Sequence, residues 1–465
     1  MAAPQHYDAI VIGSGQGGNP LAKALAAAGR RTAMVEREHV GGTCINEGCT
    51  PTKTMVASGR VAYLARRGGD FGVRTGPVGV DQAKVRERTR SVVSKWRDGD
   101  ERRLRNTTGL DLLMGEASFT GPKTLEVRVP GRDPQALTGD LIFINTGARP
   151  AKPPLSGIDR IPALDSTSVM ELSETPEHLL VMGGGYIGLE FGQMFRRFGS
   201  RVTIVQRGKQ LLTGEDADVA EEVAKILRED GVEVLLEAEA QGAAPHAGGG
   251  IDLTVRFAGA RAPRTLTGSH LLVAVGRVPN TDRLNLAAAG VQTDPGGYVQ
   301  VNERLETTAP GIYGVGDVKG GPAFTHISYD DFRVLEINLL KGGNATTEGR
   351  FVPYTVFMDP ELGRVGLSEQ EARSQGRSIR VAKMPMKSVA RAVESDETRG
   401  LMKVVVDTPT GAILGCAILG VAGGELMSMV EIAMMGRLPY TALQNAIFAH
   451  PTLAESLNNL FDDIK

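Results

Sequence analysis

Residues 8–36 read DAIVIGSGQGGNPLAKALAAAGRRTAMVE, and this stretch decides the fold class. It opens with a short apolar run, Asp8–Ile12, which predicts a β-strand. Three glycines follow in the pattern GxGxxG: Gly13, Gly15 and Gly18. An alanine-rich helix is expected over about residues 20–28, and a second strand, residues 32–35, ends in Glu36. The pattern therefore predicts a strand–turn–helix–strand unit of an α/β fold.

Such a unit has a chemical purpose. Glycines in the turn let backbone N–H groups approach a pyrophosphate at the N-terminus of the helix. An acidic residue at the end of the second strand, here Glu36, accepts hydrogen bonds from ribose hydroxyls. The stretch thus predicts a dinucleotide site.

The same unit recurs near the middle of the chain. His178–Met182 predicts a strand, a helix is expected to run to about Phe198, and the strand Arg201–Val205 ends at Gln206. The repeated glycines between the first strand and the helix are Gly183, Gly185 and Gly188. A single GxGxxG is a weak signal, but two copies in the same context are internal repeats and predict two bound dinucleotides.

The overall composition narrows the choice of partners. The 465 residues carry 52 Lys and Arg against 54 Asp and Glu, a formal charge of −2, which argues against nucleic acid or a membrane surface as the main partner. No run of about 18 apolar residues predicts a membrane span, and the opening MAAPQHYDAIVIG does not resemble a secretory leader. With only three cysteines, the chain is expected to be cytoplasmic and to use thiols for chemistry.

Strand ends and Pro- or Gly-rich stretches suggest the domain organisation. A basic helix near Gln82 to Arg105 is expected to be a solvated or interface helix without chemistry of its own. The predicted segments are a first dinucleotide domain over 1–150, a second over 151–280, a return to the first over 281–345, and an α+β domain over 346–465.

The most specific chemistry lies in residues 41–53, GGTCINEGCTPTK. Cys44 and Cys49 are five positions apart, which in a regular helix is beyond disulfide reach. A bond between them therefore requires a distorted turn, which Gly48 permits and Pro51 favours by removing a helix donor. A strained disulfide is easily reduced, and a helix N-terminus lowers a thiol pKa. The segment predicts a redox-active dithiol.

Two other interpretations of the cysteines compete with this one. Half a zinc site would need a second Cys or His pair at ligand spacing, and the sequence shows none, so no resident metal is expected. Inert buried thiols are the other alternative, and they are favoured for Cys416, which lies in an apolar, strand-like run.

Taken together, the motifs resemble the class I pyridine nucleotide–disulfide oxidoreductases, the family of dihydrolipoamide dehydrogenase, glutathione reductase and mercuric reductase. The resemblance spans essentially the whole chain. It rests on the dithiol segment, GGGYIGLE at 183–190, GIYGVGDV at 311–318 and FAHPTLAE at 448–455. It implies an FAD-binding domain, an NAD(P)-binding domain, a return to FAD through Asp317, a C-terminal dimerisation domain and a homodimer.

The resemblance also implies residue roles. Cys49 would lie next to the flavin, and Cys44 would attack the substrate. The remaining catalytic expectations are Lys53 paired with Glu190 near the flavin, and His450 with Glu455 as an acid–base pair serving the other subunit's dithiol. Tyr186 would gate the nicotinamide pocket, with ordinary packing as its alternative. The other expected cofactor-binding residues are Gly13, Gly15, Gly18, Glu36, Gly42, Thr43, Thr146, Gly147, Gly183, Gly185, Gly188, Gln206, Arg207, Gly276, Gly316 and Asp317.

The end of the second repeat bears on the choice of nicotinamide cofactor. An acidic residue at position 206 would favour NAD, but the chain has Gln206 followed by Arg207, with Lys209 nearby. Cations there suit a 2′-phosphate and favour NADPH over NADH. The alternative is that Arg207 is only a solvated loop charge.

Departures from the family pattern bear on the acceptor. The chain lacks the C-terminal cysteine pair usual in mercuric reductases, and Phe448 replaces the first histidine of the lipoamide enzymes' His-x-His-Pro. Glu47 and Thr50 stand beside the dithiol where aliphatic residues are common. The expected function is that of an NAD(P)H-dependent reductase whose dithiol passes electrons to a disulfide, a metal ion or another small oxidant. Residues 324–328 and 353–358 resemble reactive-chlorine-resistance flavoproteins, which favours a metal-ion or oxidative-stress reductase. The alternatives are a lipoamide dehydrogenase of a multienzyme complex and a non-catalytic redox sensor.

Overall fold

The computed structural model describes residues 3–464. Within them the chain divides into two compact units. Unit 1 consists of residues 3–54, 87–151 and 276–350, and unit 2 consists of residues 55–86, 152–275 and 351–464. The predicted four-segment domain scheme stays a prediction.

The strands of the described residues follow the chain in this order: β1 Gln5–Ile12, β2 Thr32–Glu36, β3 Leu110–Met114, β4 Glu116–Gly121, β5 Thr124–Arg128, β6 Gln135–Ile144, β7 Ala148–Pro150, β8 His178–Met182, β9 Arg201–Val205, β10 Glu233–Leu235, β11 Ala238–Pro245, β12 Ile251–Phe257, β13 Arg264–Gly268, β14 His270–Val273, β15 Arg277–Pro279, β16 Ile312–Gly314, β17 Tyr354–Val356, β18 Glu361–Gly366, β19 Ile379–Pro385, β20 Leu401–Asp407 and β21 Ile413–Gly420.

The α-helices of the same residues are α1 Gly18–Ala27, α2 Gly42–Asn46, α3 Cys49–Arg66, α4 Gln82–Arg105, α5 Tyr186–Phe198, α6 Ala217–Glu229, α7 Thr325–Leu340, α8 Glu369–Ser374, α9 Ala390–Glu394, α10 Gly423–Met435, α11 Tyr440–Gln444 and α12 Ser456–Asp462. None of them is long and apolar enough to cross a membrane, as far as the described residues show.

Unit 1 is built on one mixed sheet. Its strand order in the described chain is β3-β2-β1-β6-β5-β4, and β16 also pairs with β6. Strands β3, β2, β1, β6 and β16 run parallel, while β4 and β5 form an antiparallel extension. Successive residues of β1 enter two different cores: Ile10 and Ile12 pack in one, Ala9 and Val11 in the other. The unbroken apolar run of β1 reflects burial of both faces.

Unit 2 contains a parallel sheet and two antiparallel ones. Among residues 3–464, the parallel sheet has the order β10-β9-β8-β14, and β11-β12-β13 form a separate antiparallel sheet. The segment after residue 350 forms the antiparallel sheet β17-β18-β21-β20-β19, with α10 packed against β18 and β21. The predicted fold class, two dinucleotide-binding units of Rossmann type followed by an α+β segment, is confirmed.

The boundaries of the two glycine units were predicted closely. Strands β8 and β9 have the predicted limits, and α4 spans the predicted basic helix. Helix α1 begins at Gly18, two residues earlier than expected. The early start brings the helix close to the turn, and a Cβ on Gly18 would lie 2.4 Å from the carbonyl oxygen of Gly13.

Candidate active site at the dithiol and the glycine turns

The first glycine turn is shaped by close backbone contacts. Gly13 has a φ of +100°, and a Cβ there would lie 2.4 Å from the carbonyl oxygen of Asn145. The Asn145 side chain donates from Nδ2 to the Gly13 carbonyl at 3.1 Å. The turn, the end of β6 and the start of α1 are therefore packed too closely for a larger residue at Gly13.

Glu36 lies at the end of β2 and is bonded to this turn. Its Oε2 accepts hydrogen bonds from Ser14 N at 3.0 Å and from Ser14 Oγ at 2.6 Å. Ser14 Oγ accepts in turn from Gly41 N at 3.0 Å. This chain of bonds connects the expected ribose acceptor with the start of the dithiol segment.

Both helices that follow a glycine turn begin without a capping side chain. Among the described residues, no side chain caps α1 at Gly17 or α5 at Gly185, and neither helix has an acid in its first turn. A Cβ on Gly185 would meet no described atom within 4 Å. Helix α8, in contrast, is closed by a capping box of Ser368 and Glu371. Open helix N-termini behind glycine turns fit the pyrophosphates of FAD and of a nicotinamide dinucleotide.

The two cysteines lie on different helices. Cys44 is in α2 and Cys49 begins α3, with Glu47 in a non-helical conformation between them (φ −139°). A Cβ on Gly48 would lie 2.9 Å from the carbonyl oxygen of Thr43, so this glycine permits a close approach of α2 to α3. The predicted distortion is thus a break between α2 and α3. The break is possible because Gly48 has no side chain.

A second contact sets α2 against the first glycine turn. Gly42 has a φ of +63°, and a Cβ there would lie 2.7 Å from the Gly15 Cα. Thr43, the neighbouring residue expected to touch the cofactor, is the second residue of α2. The glycine pair therefore brings the dithiol segment next to the turn that is expected to bind FAD.

The pKa values of the two cysteine thiols are shifted in opposite directions. A hydrogen bond from the Cys44 thiol, together with Thr325 and the charge of Lys53, lowers the pKa of Cys49 to about 6 against the effect of burial. The same bond, together with burial, raises the pKa of Cys44. Near neutral pH the pair therefore holds a thiolate at Cys49 and a thiol at Cys44.

Thr325 was not identified from the sequence. It is the first residue of α7, and its Oγ1 lies 3.2 Å from Cys49 Sγ. The two residues are 276 positions apart, so no local pattern could have paired them. Cys416 behaves as expected: it is 2% exposed, and burial raises its pKa to about 12.

The remaining predicted residues of unit 1 lie on neighbouring turns. Thr146 Oγ1 donates to the carbonyl of Asn280 at 2.9 Å, and Asn280 Nδ2 donates back to the Thr146 carbonyl at 2.9 Å. Asn280 N donates to the Gly147 carbonyl at 3.0 Å. Gly276 accepts from Ala151 N at 2.9 Å. Asn280 is thus a further residue of this site region, signalled in the sequence only by its position after a strand.

Asp317 follows Gly316 in a 3-10 helix, Gly316–Lys319. Burial raises the pKa of its carboxyl, while the charges of Arg277 and Lys319 act in the opposite direction. A partly desolvated carboxylate of this kind gains free energy from a hydroxyl donor, which fits the ribityl or ribose hydroxyls of a flavin nucleotide.

In unit 2 the second glycine turn repeats the packing of the first. A Cβ on Gly188 would lie 2.1 Å from the carbonyl of Gly183. The Gln206 side chain accepts from Gly184 N at 3.1 Å and donates to the Gln210 carbonyl at 3.1 Å. Gln206 therefore shapes the turn. Arg207 and Lys209 are exposed, and neither forms an ion pair within residues 3–464.

Three residues are expected to lie near the flavin or at the nicotinamide pocket. Lys53 lies one turn after Cys49 on α3. Glu190 is 4% exposed on α5 and accepts from Phe357 N at 2.9 Å. Tyr186, the first residue of α5, is 37% exposed. The pairing of Lys53 with Glu190 and the gating role of Tyr186 stay predictions.

His450 and Glu455 are brought together. His450 Nδ1 lies 2.8 Å from Glu455 Oε2, and the histidine side chain is 69% exposed. The carboxylate holds one ring nitrogen, and the exposed ring can present the other to an external group.

Comparison with known proteins decides the family. The pyridine nucleotide-disulphide oxidoreductase family matches residues 7–331, and the dimerisation domain of the same family matches residues 352–461. The chain belongs to the pyridine nucleotide-disulfide oxidoreductases. This oxidoreductase is therefore an enzyme and a flavoprotein that binds FAD and uses a pyridine nucleotide, and its dimerisation domain indicates a homodimer.

Its relatives include three kinds of protein. The oxidoreductase is 39% identical to the probable pyridine nucleotide-disulfide oxidoreductase RclA of Escherichia coli K12, over 99% of each chain. It is 35% identical to a mercuric reductase of Staphylococcus aureus, covering 97% of this chain and 81% of that one. It is 34% identical to the dihydrolipoyl dehydrogenase of Geobacillus stearothermophilus, covering 96% and 94%.

Solved structures give the same result. The Cu(II) complex of the HOCl-induced flavoprotein disulfide reductase RclA from E. coli matches with a TM-score of 0.90 at 38% identity, over 99% of this oxidoreductase and 100% of that chain. A second structure of RclA, whose description does not mention copper, matches with a TM-score of 0.89.

Proposed function

We propose that this enzyme uses NADPH to reduce the Cys44–Cys49 disulfide by way of FAD, and that the dithiol reduces a metal ion or another small oxidant, with Cu(II) as the first candidate. The observation that carries the proposal is the hydrogen-bonded pair of sulfurs, in which Cys49 has a pKa of about 6. FAD supplies the means to take a hydride from NADPH and pass two electrons to a disulfide.

The electrons balance in two half-reactions. A hydride equivalent from NADPH reduces the disulfide to the Cys49 thiolate and the Cys44 thiol and leaves NADP⁺. The thiolate and the thiol then reduce two Cu(II) to two Cu(I), release one proton and re-form the disulfide. An oxidant that accepts two electrons, such as hypochlorous acid, would take both in one step and leave chloride and water.

The two cysteines have different roles in this proposal. Cys49 is the sulfur on the flavin side, because Thr325 and Lys53 favour its thiolate. Cys44 keeps its proton and meets the acceptor. His450, oriented by Glu455, would hold or release the proton of Cys44 in the other subunit, which its exposure in a single chain supports.

A cationic or oxidising acceptor is supported by the surroundings of the dithiol and by the relatives. Glu47 adds a carboxylate between the two cysteines in sequence, which favours a cation over an anionic disulfide. Thiolates bind soft metals such as copper. RclA is described as HOCl-induced and as forming a Cu(II) complex, and other relatives are mercuric reductases.

NADPH is proposed because of the residues after β9. Gln206 carries no charge for ribose hydroxyls and is engaged with Gly184 N and the Gln210 carbonyl. The exposed cations Arg207 and Lys209 are suited to a 2′-phosphate.

Dihydrolipoamide dehydrogenase activity is the second candidate. It is favoured by the 34% identity to a dihydrolipoyl dehydrogenase and by the His450–Glu455 pair. Electron flow would then run from a dithiol substrate to the pyridine nucleotide. The non-catalytic sensor hypothesis is set aside, because the family consists of enzymes.

A steady-state screen tests the proposal. NADPH and NADH are each offered with Cu(II), Hg(II), lipoamide, low-molecular-weight disulfides and quinones, using wild type and the variants Cys44→Ser, Cys49→Ser and Cys416→Ser. We expect the highest kcat/KM with NADPH and Cu(II), loss of this activity in the first two variants, and full activity in Cys416→Ser, whose thiol is buried. Full turnover by Cys44→Ser would refute the dithiol pathway, and a preference for lipoamide would favour the second candidate.

A further inference from the structure

Asp331 on α7 is a buried carboxylate that the chemistry above does not use. Its relative exposure is 0%. Oδ2 accepts a hydrogen bond from Gly316 N at 2.9 Å and lies 3.2 Å from Lys319 Nζ, and Oδ1 accepts from Arg350 at 2.7 Å. A buried charge is costly unless it is paired and hydrogen-bonded, and here both oxygens are.

The hydrogen bond from Gly316 matters because of the residue that follows. Asp317 is the carboxylate expected to bind FAD. Gly316 has a φ of +70°, and a Cβ there would lie 2.8 Å from Ser328 Oγ, so the turn is held tightly against α7. Fixing the Gly316 peptide fixes the direction in which the next side chain leaves the backbone.

The start of α7 also touches two other parts of the candidate site. Thr325 Oγ1 lies 3.2 Å from Cys49 Sγ. The Ser328 carbonyl lies 2.7 Å from the position that a Cβ on Gly17 would take, beside the first glycine turn. The first two turns of α7 therefore adjoin the Asp317 turn, the first glycine turn and the thiolate.

We propose that Asp331 is a positioning residue for FAD: it anchors the Gly316–Asp317 turn to α7, so that Asp317 is held in place for the cofactor. The inference rests on FAD binding, which the family shows, and on the expected role of Asp317. It does not depend on the electron acceptor. The competing explanation is that Asp331 only stabilises the fold as the partner of Lys319 and Arg350.

Release of FAD distinguishes the two explanations. The test uses purified holoenzyme without any electron acceptor and follows FAD dissociation after dilution by flavin fluorescence, with thermal unfolding measured in parallel. The variant is Asp331→Asn. The matched control is Glu397→Gln, which removes another buried carboxylate, 6% exposed and paired with Arg60, in unit 2.

We expect Asp331→Asn to release FAD about tenfold faster, a change that the weakening of one hydrogen bond to a charged group can produce. Glu397→Gln should lower the unfolding temperature without faster release. Equal release from Asp331→Asn and wild type, or equal acceleration in both variants, would overturn the proposal.

A second variant keeps the proposal testable if Asp331→Asn folds poorly. Arg350→Met removes the cation at Oδ1 but keeps the hydrogen bond from Gly316 N to Oδ2 and the pairing with Lys319. We expect it to lower the unfolding temperature while FAD release stays as in wild type, because the anchor of the turn is kept. Faster FAD release from folded Arg350→Met would show that the carboxylate serves stability alone. Failure of the Cu(II) proposal would leave these results unchanged, because no acceptor is present.

Discussion

At the scale of single residues, the state of Cys49 is set by its immediate contacts. The Cys44 thiol, the Thr325 hydroxyl and the charge of Lys53 all lower its pKa, and burial opposes them. The result is a pKa of about 6, so the thiolate forms as the pH rises through 6 and is lost as the pH falls below it.

Removing the Thr325 hydroxyl should move this titration to higher pH. In a Cys44→Ser background, which keeps a hydroxyl donor next to Cys49, we expect Thr325→Val to raise the pKa of Cys49 by about one to two units, because a hydrogen bond to a charged group contributes about 1.5–3 kcal/mol. The measurement is the pH dependence of the long-wavelength absorbance of a thiolate next to oxidised flavin. Thr325→Ser is the control and should titrate as the parent does. An unchanged midpoint in Thr325→Val would contradict the assigned contact.

Glu47 gives a second prediction at this scale. Replacing it with an aliphatic residue, Glu47→Ile, should lower kcat/KM for Cu(II) about fivefold, because one unit charge near a solvent-exposed cation contributes about 1 kcal/mol. The same change should leave kcat/KM for an uncharged quinone unaltered. Glu47→Asp, which keeps the charge, is the control. Equal losses with both acceptors would show that Glu47 acts on the dithiol itself.

At the scale of elements, the break between α2 and α3 determines whether the two sulfurs meet. Gly48 allows the Thr43 carbonyl to approach, and the three atoms nearest to a Cβ at this point all belong to the backbone. A side chain here cannot be accommodated by a rotamer change, so one of the two helices must move.

We therefore expect Gly48→Ala to destabilise the protein by about 1–3 kcal/mol, the usual range for overpacking, and to slow formation of the Cys44–Cys49 disulfide. Urea unfolding and the rate of thiol loss under a mild oxidant measure the two effects. Gly76→Ala is the control, because a Cβ there meets no described atom within 4 Å. Wild-type behaviour of both variants would show that α2 and α3 are not held together at this point.

At the scale of the whole molecule, the family's dimerisation domain covers residues 352–461. Within it α10 and the residues after it expose large apolar side chains: Met429 is 43% exposed, Ile432 65%, Met435 62% and Leu438 45%. Met429, Ile432 and Met435 recur every three residues on α10 and form one stripe, which a homodimer would cover, and Leu438 follows the end of the helix.

Introducing a charge into the stripe should separate the subunits. We expect Ile432→Asp to weaken dimerisation about 30-fold or more, corresponding to a loss of about 2 kcal/mol at a central interface residue. Sedimentation over a range of concentrations measures this change, with Ile432→Val as control. Turnover should fall together with the dimer fraction, since His450 is proposed to serve the other subunit. A fully active monomer would contradict the shared site.

Much of this protein follows from local sequence. The two GxGxxG turns each lie between a buried strand and a helix, and backbone clashes exclude a larger residue at the first and last glycine of each, so composition and spacing alone predict them. The five-residue spacing of Cys44 and Cys49 likewise requires a break in the helix, and the structure has one at Glu47 and Gly48.

Tertiary structure decided the environment of these groups. Thr325 meets Cys49 across 276 residues, and Asp331 meets Gly316 because α7 packs along the Asp317 turn. The Gln206 side chain forms hydrogen bonds with Gly184 N and the Gln210 carbonyl, next to the second glycine turn. Turns and strands depend on neighbours in sequence, whereas a thiol's pKa and a buried carboxylate's partners depend on groups that only folding brings within hydrogen-bond distance.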